Sequence, residues 1–440
     1  MARILIAGGS LGGLLAANML LRDGHDVVVL EKASGSLDGR GAGIVTHAAL
    51  GQGLARAGVN LQADLGVSVD SRVALDVHGN VQWRLPMPQV LTSWSRLYAL
   101  LMQAFAPGRC RTGATVTGVV DGRDGVEVLT ATGERFAADL LIASDGLRSA
   151  VREQFAPHVV PQYAGYVAWR GVCDEAVLSR RTLSSVFGHF GFGLPAAEQL
   201  IGYPVAGPDN ATQPGRRRYN FVWYRPAPQP EGLRDLLTDA DGEYHPLGIA
   251  PNKVSWRQVA GMREAARRVL APQFAEILEK TAQPFLQPIF DVMSERLVFG
   301  RTALMGDAGF VARPHVGMGV TKAAQDAMAL SDALRRHGAT PAALRDYEAV
   351  RLGAGRAVVQ RARRLGAYLQ AHGEGTAHTG WVRDPQAVLA ETAVDAALWG
   401  PDPAPDAAAA IGPAAMCVGA GGATPPPQHS DWRRASTTPP

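Results

Sequence analysis

The sequence predicts an α/β fold: a Rossmann-type dinucleotide-binding domain interrupted by an antiparallel β-sheet domain and followed by C-terminal helices. Three observations predict it. A strand, glycine turn, helix and acid-ending strand open the chain. A further apolar strand ending in Gly306-Asp307 arrives near residue 300, and alternating aromatic segments fill residues 163–225 between them.

Arg3-Ile4-Leu5-Ile6-Ala7 is a continuous apolar run of the kind that forms a strand buried on both faces. Gly8-Gly9-Ser10-Leu11-Gly12-Gly13 follows as the turn, residues 14–21 as a helix stopped by Asp23-Gly24, and Val27-Val28-Val29-Leu30 as a second strand closed by Glu31. Residues 95–105 carry Leu97, Leu100, Leu101 and Ala104 at helical spacing, and Pro107-Gly108 stops that helix. Three β-like runs come next, at 115–120, 126–130 and 134–136, with Asp124-Gly125 and Thr132-Gly133 at the turns. Leu140-Leu141-Ile142-Ala143 then returns as a buried strand ending in Ser144-Asp145-Gly146.

From about 163 to 225 the texture becomes that of an antiparallel sheet, in Tyr166-Val167-Ala168-Trp169-Arg170, Leu200-Ile201-Gly202-Tyr203 and Tyr219-Asn220-Phe221-Val222-Trp223-Tyr224. Residues 226–251 read as irregular loop, 255–280 as a helical run, and 290–293, 297–299 and 303–305 as strands. Helices are expected over 321–336 and 343–369. This divides the chain into a first part of the dinucleotide domain (1–160), an inserted substrate domain (161–295), the second part with a packing helix (296–370), and a C-terminal extension (371–440). After about 400 the Pro, Ala and Gly composition predicts a disordered tail.

With 440 residues, 47% of them hydrophobic and 19% charged, the chain can bury a large core. Lys+Arg of 43 against Asp+Glu of 40 leaves +3, without a basic block, so nucleic acid is not an expected partner. Cys110, Cys173 and Cys417 are too few and too scattered for a disulfide framework or a metal site, which favours a reducing, cytoplasmic home. Residues 4–21 imitate a signal peptide, but glycines at phosphate-loop spacing argue against one, and no stretch reaches the ~18 uninterrupted apolar residues that span a bilayer.

A pyrophosphate approaching a helix start needs residues without bulk, so that backbone N–H groups and the positive helix end face it. Gly8, Gly12 and Gly13 supply this, while Ser10 replaces the usual second glycine and adds a hydroxyl. Glu31 stands at the offset where a carboxylate accepts from a ribose diol and repels a 2′-phosphate, so the site suits FAD or NAD. The other end decides between them. Asp307 ends a strand, where its carboxylate suits a polyol such as ribitol, and Gly317-Met318-Gly319 opens a helix whose bare N–H groups suit the electron-rich edge of a flavin.

These residues resemble the class A, single-component flavoprotein aromatic hydroxylases. The resemblance covers residues 1–369 and rests on residues 8–13 with Glu31, on Asp139-Leu140-Leu141-Ile142-Ala143-Ser144-Asp145-Gly146 running on through Arg148 to Arg152, and on Gly306-Asp307 through Asp326-Ala327. It implies an FAD-dependent monooxygenase in which NADH or NADPH reduces the flavin, O2 adds as a C4a-hydroperoxide, and the distal oxygen passes to an electron-rich ring carbon. FAD would be held by Gly8, Ser10, Leu11, Gly12, Gly13, Glu31, Lys32, Arg40, Gly43, Ile44 and Arg96, by Asp145 and Gly146, and by Asp307, Pro314, Gly317, Gly319 and Val320. Tyr163 to Val172, Ile201-Gly202-Tyr203-Pro204 and Arg313-Pro314-His315 with Lys322 narrow the resemblance to members acting on a hydroxylated N-heterocycle such as a dihydroxypyridine. Other small aromatics (a phenol, a hydroxybenzoate, a urate-like purine) and an FAD-dependent dehydrogenase or reductase are the alternatives. Family habit implies a homodimer.

The catalytic candidates are His315, Tyr203 and Tyr224. His315 stands beside the flavin loop by resemblance, or only fixes the turn after Pro314; the two tyrosines line the pocket or belong to the core. His189 reads as a sheet or loop residue, and Trp169-Arg170 as structural. Arg148 and Arg152 either bind the reductant's phosphates or pair with surface acids. No metal is expected. The family more usually carries His at position 310 and Asn at 321, where this chain has Phe310 and Thr321.

Overall fold

Continuous apolar runs build the first sheet. Arg3–Ala7 pairs in parallel with Asp26–Glu31 on one side and Leu140–Ala143 on the other, Ile4 standing opposite both Val27 and Leu140. Cys110–Thr112 and Thr302–Leu304 extend it in parallel at either side, and Val298–Phe299 closes one edge as a hairpin, for six strands. Helices Leu11–Arg22 and Gly319–His337 bury Leu15, Leu20, Ala324 and Leu330 in one core with Ile4, Ile6 and Leu141. Burial on both faces is why these strands show no alternation. Val116–Asp121, Val126–Thr130 and Arg135–Ala138 form a separate antiparallel sheet of three strands.

The computed structural model describes residues 1–35, 37, 43–61, 65–369 and 384–399. Met1–Ala397 forms one compact unit. Arg40 and the tail expected after residue 400 lie outside the described residues.

The second sheet has nine strands, in the order Phe310–Val311, Phe285–Met293, Gln162–Asp174, Arg218–Pro226, Gln199–Val205, His189–Gly193, Val67–Leu75, Val81–Ser93 and Gly43–Val45. All neighbours are antiparallel except His189–Gly193 with Val67–Leu75. Here alternation decides what each side chain meets. Trp169, Phe221, Trp223 and Leu286 pack with Val259, Met262, Phe274 and Ile277 of two covering helices. Tyr166, Ala168, Tyr203, Val222 and Tyr224 face the other way, in a cluster with Leu389 and Ala393.

Several elements differ from expectation. The helical run at 255–280 is two helices, Trp256–Val269 and Pro272–Lys280, because Pro272 cannot donate to the preceding turn and starts a new helix. Within 226–251, expected as loop, Glu231–Leu236 is helical. Four strands of the large sheet, Gly43–Val45, Val67–Leu75, Val81–Ser93 and Phe310–Val311, come from outside 161–295. In the C-terminal extension, Pro385–Glu391 forms a helix capped by the Asp384 carboxylate.

Candidate active site

Two cavities lie beside the nucleotide turn and the large sheet. The first, of about 430 Å3, is bordered by Gly8, Ser10, Glu31, Lys32, Asp145, Gly146 and Arg148. Gly8 has φ +101°, and a Cβ there would stand 2.3 Å from the Ser144 carbonyl oxygen; one on Gly13 would stand 1.9 Å from that of Gly8. The turn therefore accepts no side chain at either place. Gly12 is crowded only by side chains, with Ser144 Oγ 2.9 Å from where its Cβ would stand. Leu11 is buried and fixes the helix start to the core, while the Ser10 hydroxyl makes no capping bond. Behind the turn, Glu31 accepts from the N–H of Gly9 at 2.7 Å and of Ala33 at 2.8 Å.

Asp145 closes the far side. Its Oδ1 is buried with no hydrogen-bond partner among the described residues, and burial pushes its pKa up. An unpaired carboxylate oxygen calls for a hydroxyl or N–H from a ligand. Arg152 is no surface residue: it is buried and donates to the carbonyl oxygens of Leu147 at 2.5 Å and Ala308 at 2.9 Å, tying this motif to the Gly306 turn.

The second cavity, of about 310 Å3, has one wall made of Gly43, Ile44, Asp307, Pro314, Gly317, Gly319 and Val320, and another made of Arg170, Tyr203, Val222, Tyr224 and Gln287. Trp94 borders both cavities. It opens helix Trp94–Ala104, whose first turn also holds Arg96, with the Arg96 N–H capped by Ser93 Oγ. Gly306, at φ +62°, donates its N–H to Asp326 at 3.0 Å, and Arg351 holds the other oxygen of that carboxylate at 2.6 Å. This fixes Asp307, whose carboxylate lies 3.7 Å from the fully buried Lys322 Nζ. Desolvation pushes the Asp307 pKa up, with Lys322 opposing, although about half (52%) of its side chain stays open to solvent and limits the effect.

Tyr203 and Tyr224 stand on the cavity wall, and burial raises both phenol pKa values, so both stay protonated at neutral pH. His315 is buried behind the wall. Its Nε2 hydrogen-bonds the Tyr166 hydroxyl at 2.9 Å, and its ring centroid lies 4.1 Å from that of Tyr224. Next to it, Arg313 makes a buried pair with Asp291 at 3.0 Å, which also takes Arg363 at 3.0 Å. His189 is a strand residue bonded to Ser71 Oγ. Phe310 is a core residue against Gly355, where an added Cβ would stand 2.2 Å from its ring.

Residues 1–180 and 253–362 match the FAD binding domain family, and residues 163–291 match the FAD binding domain-like family. The chain is 31% identical over 372 residues, 84% of its own length and 92% of the relative's, to the 2,6-dihydroxypyridine 3-monooxygenase of Paenarthrobacter nicotinovorans. The chain belongs to the FAD-binding flavoprotein monooxygenases. Among solved structures it is similar to 2,6-dihydroxypyridine-3-hydroxylase from Arthrobacter nicotinovorans, with a TM-score of 0.79 and 29% identity over 86% of this chain and 95% of that one. It is also similar to a Klebsiella pneumoniae HpxO variant complexed with FAD, with a TM-score of 0.67 and 25% identity over 83% and 89%.

The monooxygenase's two cavities fit FAD on their own terms: the side-chain-free turn at Gly8 and Gly13, the unpaired Asp145 oxygen, and open space above Gly146 and Gly319. Among the residues that sequence reasoning missed, Trp94 gave no signal beyond its position before a helix. Arg170, read as structural, lies on the cavity wall while Trp169 packs behind. The signal was available, since residues 166, 168 and 170 share one face of a strand. Ala393 also borders the cavity, from a segment whose composition reads as an extension.

Proposed function

We propose that this flavoprotein monooxygenase hydroxylates a small, hydroxylated aromatic N-heterocycle of the 2,6-dihydroxypyridine type, at the expense of NADH or NADPH and O2. The observation that carries the reading is the polar make-up of the cavity wall that the large sheet supplies. Arg170 and Gln287 are joined at 2.7 Å, and Tyr224 carries a buried hydroxyl without a partner among the described residues. Donors left unpaired in a cavity suit a ligand rich in oxygen acceptors. A guanidinium beside a ring hydroxyl also favours its anion, the better carbon nucleophile.

In this reading FAD supplies hydride acceptance and oxygen activation. The chain does the rest. Glu31, Lys32, Ser10, Leu11 and the glycines of the first turn hold the nucleotide half with Asp145, Gly146, Arg40 and Arg96, and Asp307 holds the ribitol. Gly43, Ile44, Pro314, Gly317, Gly319 and Val320 border the ring. Arg170, Tyr203 and Tyr224 orient the substrate, and His315 sets Tyr224 from behind as a positioning residue. The cofactor walls come mainly from 1–160 and 296–370, the substrate wall from 161–295. Excluding water from this cavity keeps oxygen transfer ahead of peroxide release. A cytoplasmic homodimer belongs to the same reading, and sedimentation tests the dimer.

The experiment is a panel of hydroxypyridines, phenols and urate, each scored for stimulated NADH or NADPH consumption and for product mass. The reading expects 2,6-dihydroxypyridine-like rings to give the highest coupled rate. Stimulation by phenols or urate alone would replace the substrate class.

A further inference from the structure

Arg72 is fully buried in strand Val67–Leu75, yet its guanidinium serves a segment more than 300 residues away in the chain. NH1 donates to the carbonyl oxygens of Leu389 and Thr392, both at 2.6 Å, and NH2 to that of Ala393 at 3.1 Å. Gln89 Oε1 takes Nε and NH2 at 3.0 and 2.7 Å, and the rings of Phe190 and Phe192 lie 5.0 and 6.0 Å from the guanidinium carbon. Burial pushes the guanidinium down to about 9, which leaves it charged at neutral pH. A buried cation aimed at the last turn of helix Pro385–Glu391 meets the negative end of that helix.

The segment it holds ends at the cavity. Ala393 borders the cavity beside Gly317, has φ +50°, and donates its N–H to the His315 carbonyl oxygen at 2.8 Å. A Cβ on Gly317 would stand 2.6 Å from the Ala393 Cβ, so the glycine of the flavin loop also makes room for this contact. Two residues on, Asp395 accepts from the Ala48 N–H at 2.9 Å. The segment is thus bonded on one side to the large sheet and on the other to the loop that carries Pro314 and Gly317. A non-glycine residue held at positive φ is strained, and such a conformation persists where the surroundings over-determine it.

We infer that residues 385–395 form a strap that completes the substrate cavity, and that Arg72 is the positioning residue that sets the strap, and with it coupling and the size of ring admitted. The inference rests on the oxygen-transfer reading above. If the strap shifts, water reaches the cavity and turnover becomes uncoupled: NADH or NADPH gives two electrons, O2 takes them with two protons, and hydrogen peroxide leaves in place of product.

The test uses the FAD-loaded full chain. Arg72→Lys keeps the charge but lacks the fork that reaches three carbonyls at once; Ala393→Leu adds bulk to the wall while keeping Arg72 and the carbonyl oxygen of residue 393 that it holds. Peroxide formed per NADH consumed, and KM for one-ring and two-ring hydroxylated substrates, are measured with whichever substrate stimulates the wild type most. Inert hydroxypyridines would therefore sink the substrate reading alone. The strap predicts a several-fold higher peroxide fraction in Arg72→Lys at unchanged FAD content. It also predicts a KM for the larger ring raised about tenfold more than that for the smaller in Ala393→Leu. Wild-type coupling and wild-type KM ratios in both variants, even with a lowered melting temperature, would reduce the strap to packing and overturn the inference.

Discussion

His315 Nε2 and the Tyr166 hydroxyl lie 2.9 Å apart, in a pair buried behind the cavity wall. An added Cβ on Gly366 would come 2.4 Å from that hydroxyl and 3.0 Å from the histidine ring, so helix Pro341–Gly366 closes over the pair. The histidine therefore reaches the cavity through the Tyr224 ring against which it packs.

A positioning role and a proton-transfer role for His315 differ in their pH signature. His315→Ala should lower the coupled rate and remove the 2.9 Å hydrogen bond to the buried Tyr166 hydroxyl, costing about 1–3 kcal/mol of stability. The pH profile of kcat/KM should keep both limbs. Loss of a limb near neutral pH would make His315 the base; unchanged kinetics would remove it from the site.

Gly13→Ala places a Cβ 1.9 Å from the Gly8 carbonyl oxygen, with backbone on both sides of the clash. The protein should fold but purify without FAD, because the turn has to open. Glu31→Ala should be milder, since it strands the N–H groups of Gly9 and Ala33 at the edge of the same turn. FAD affinity, followed by flavin fluorescence quenching, should fall about tenfold or more for Glu31→Ala. Affinity equal to wild type would dissociate the carboxylate from the cofactor.

Asp307 has its pKa raised by desolvation and held back by Lys322. A carboxyl raised in the folded state adds stability below its unfolded value of ~3.9, and loses that contribution as pH rises through the folded value. Lys322→Met removes the opposing charge and raises Asp307 further. Relative to wild type, the variant's melting temperature should therefore fall as pH goes from about 4 to about 7. A difference independent of pH would show that the two groups are not coupled.

Asp291 neutralises Arg313 inside the protein, at 3.0 Å, with Arg363 as a second partner. Asp291→Asn strands a buried guanidinium next to Pro314, a loss of about 3–5 kcal/mol by the behaviour of broken buried pairs. Thermal unfolding should show it as a clear drop in melting temperature. An unchanged midpoint would mean that the pair contributes no net stability.

Much of the cofactor half was legible in the sequence, because strands buried on both faces write themselves as apolar runs: 3–7, 27–30 and 140–143 all appear near their predicted bounds. The strands at Val67–Leu75 and Val81–Ser93 were not. The longer one pairs with Gly43–Val45 only at Leu91–Ser93, so its first ten residues lie at the sheet's edge, where most are exposed and Pro86 and Pro88 break a clean alternation. The glycines of the nucleotide turn could be placed because the backbone itself demands them. Tyr203 and Tyr224 are legible as pocket candidates from their aromatic strands, whereas Arg170 is legible only as sharing a strand face with residues 166 and 168, since which face meets the cavity depends on helices Trp256–Val269 and Pro272–Lys280 covering the other. Ala393 had no local signal at all, as its role comes from Arg72, far away in sequence.

Oxygen incorporation tests the central claim most directly. The holoenzyme, NADH or NADPH and 2,6-dihydroxypyridine are incubated under isotopically labelled O2 with wild type and with Arg170→Met. Wild type should yield a ring product carrying one labelled oxygen atom, and Arg170→Met should retain its FAD while KM rises about tenfold or more. Hydrogen peroxide as the only oxygen product across the hydroxypyridines, or an Arg170→Met enzyme with wild-type KM, would contradict hydroxylation of an anionic N-heterocycle in this cavity.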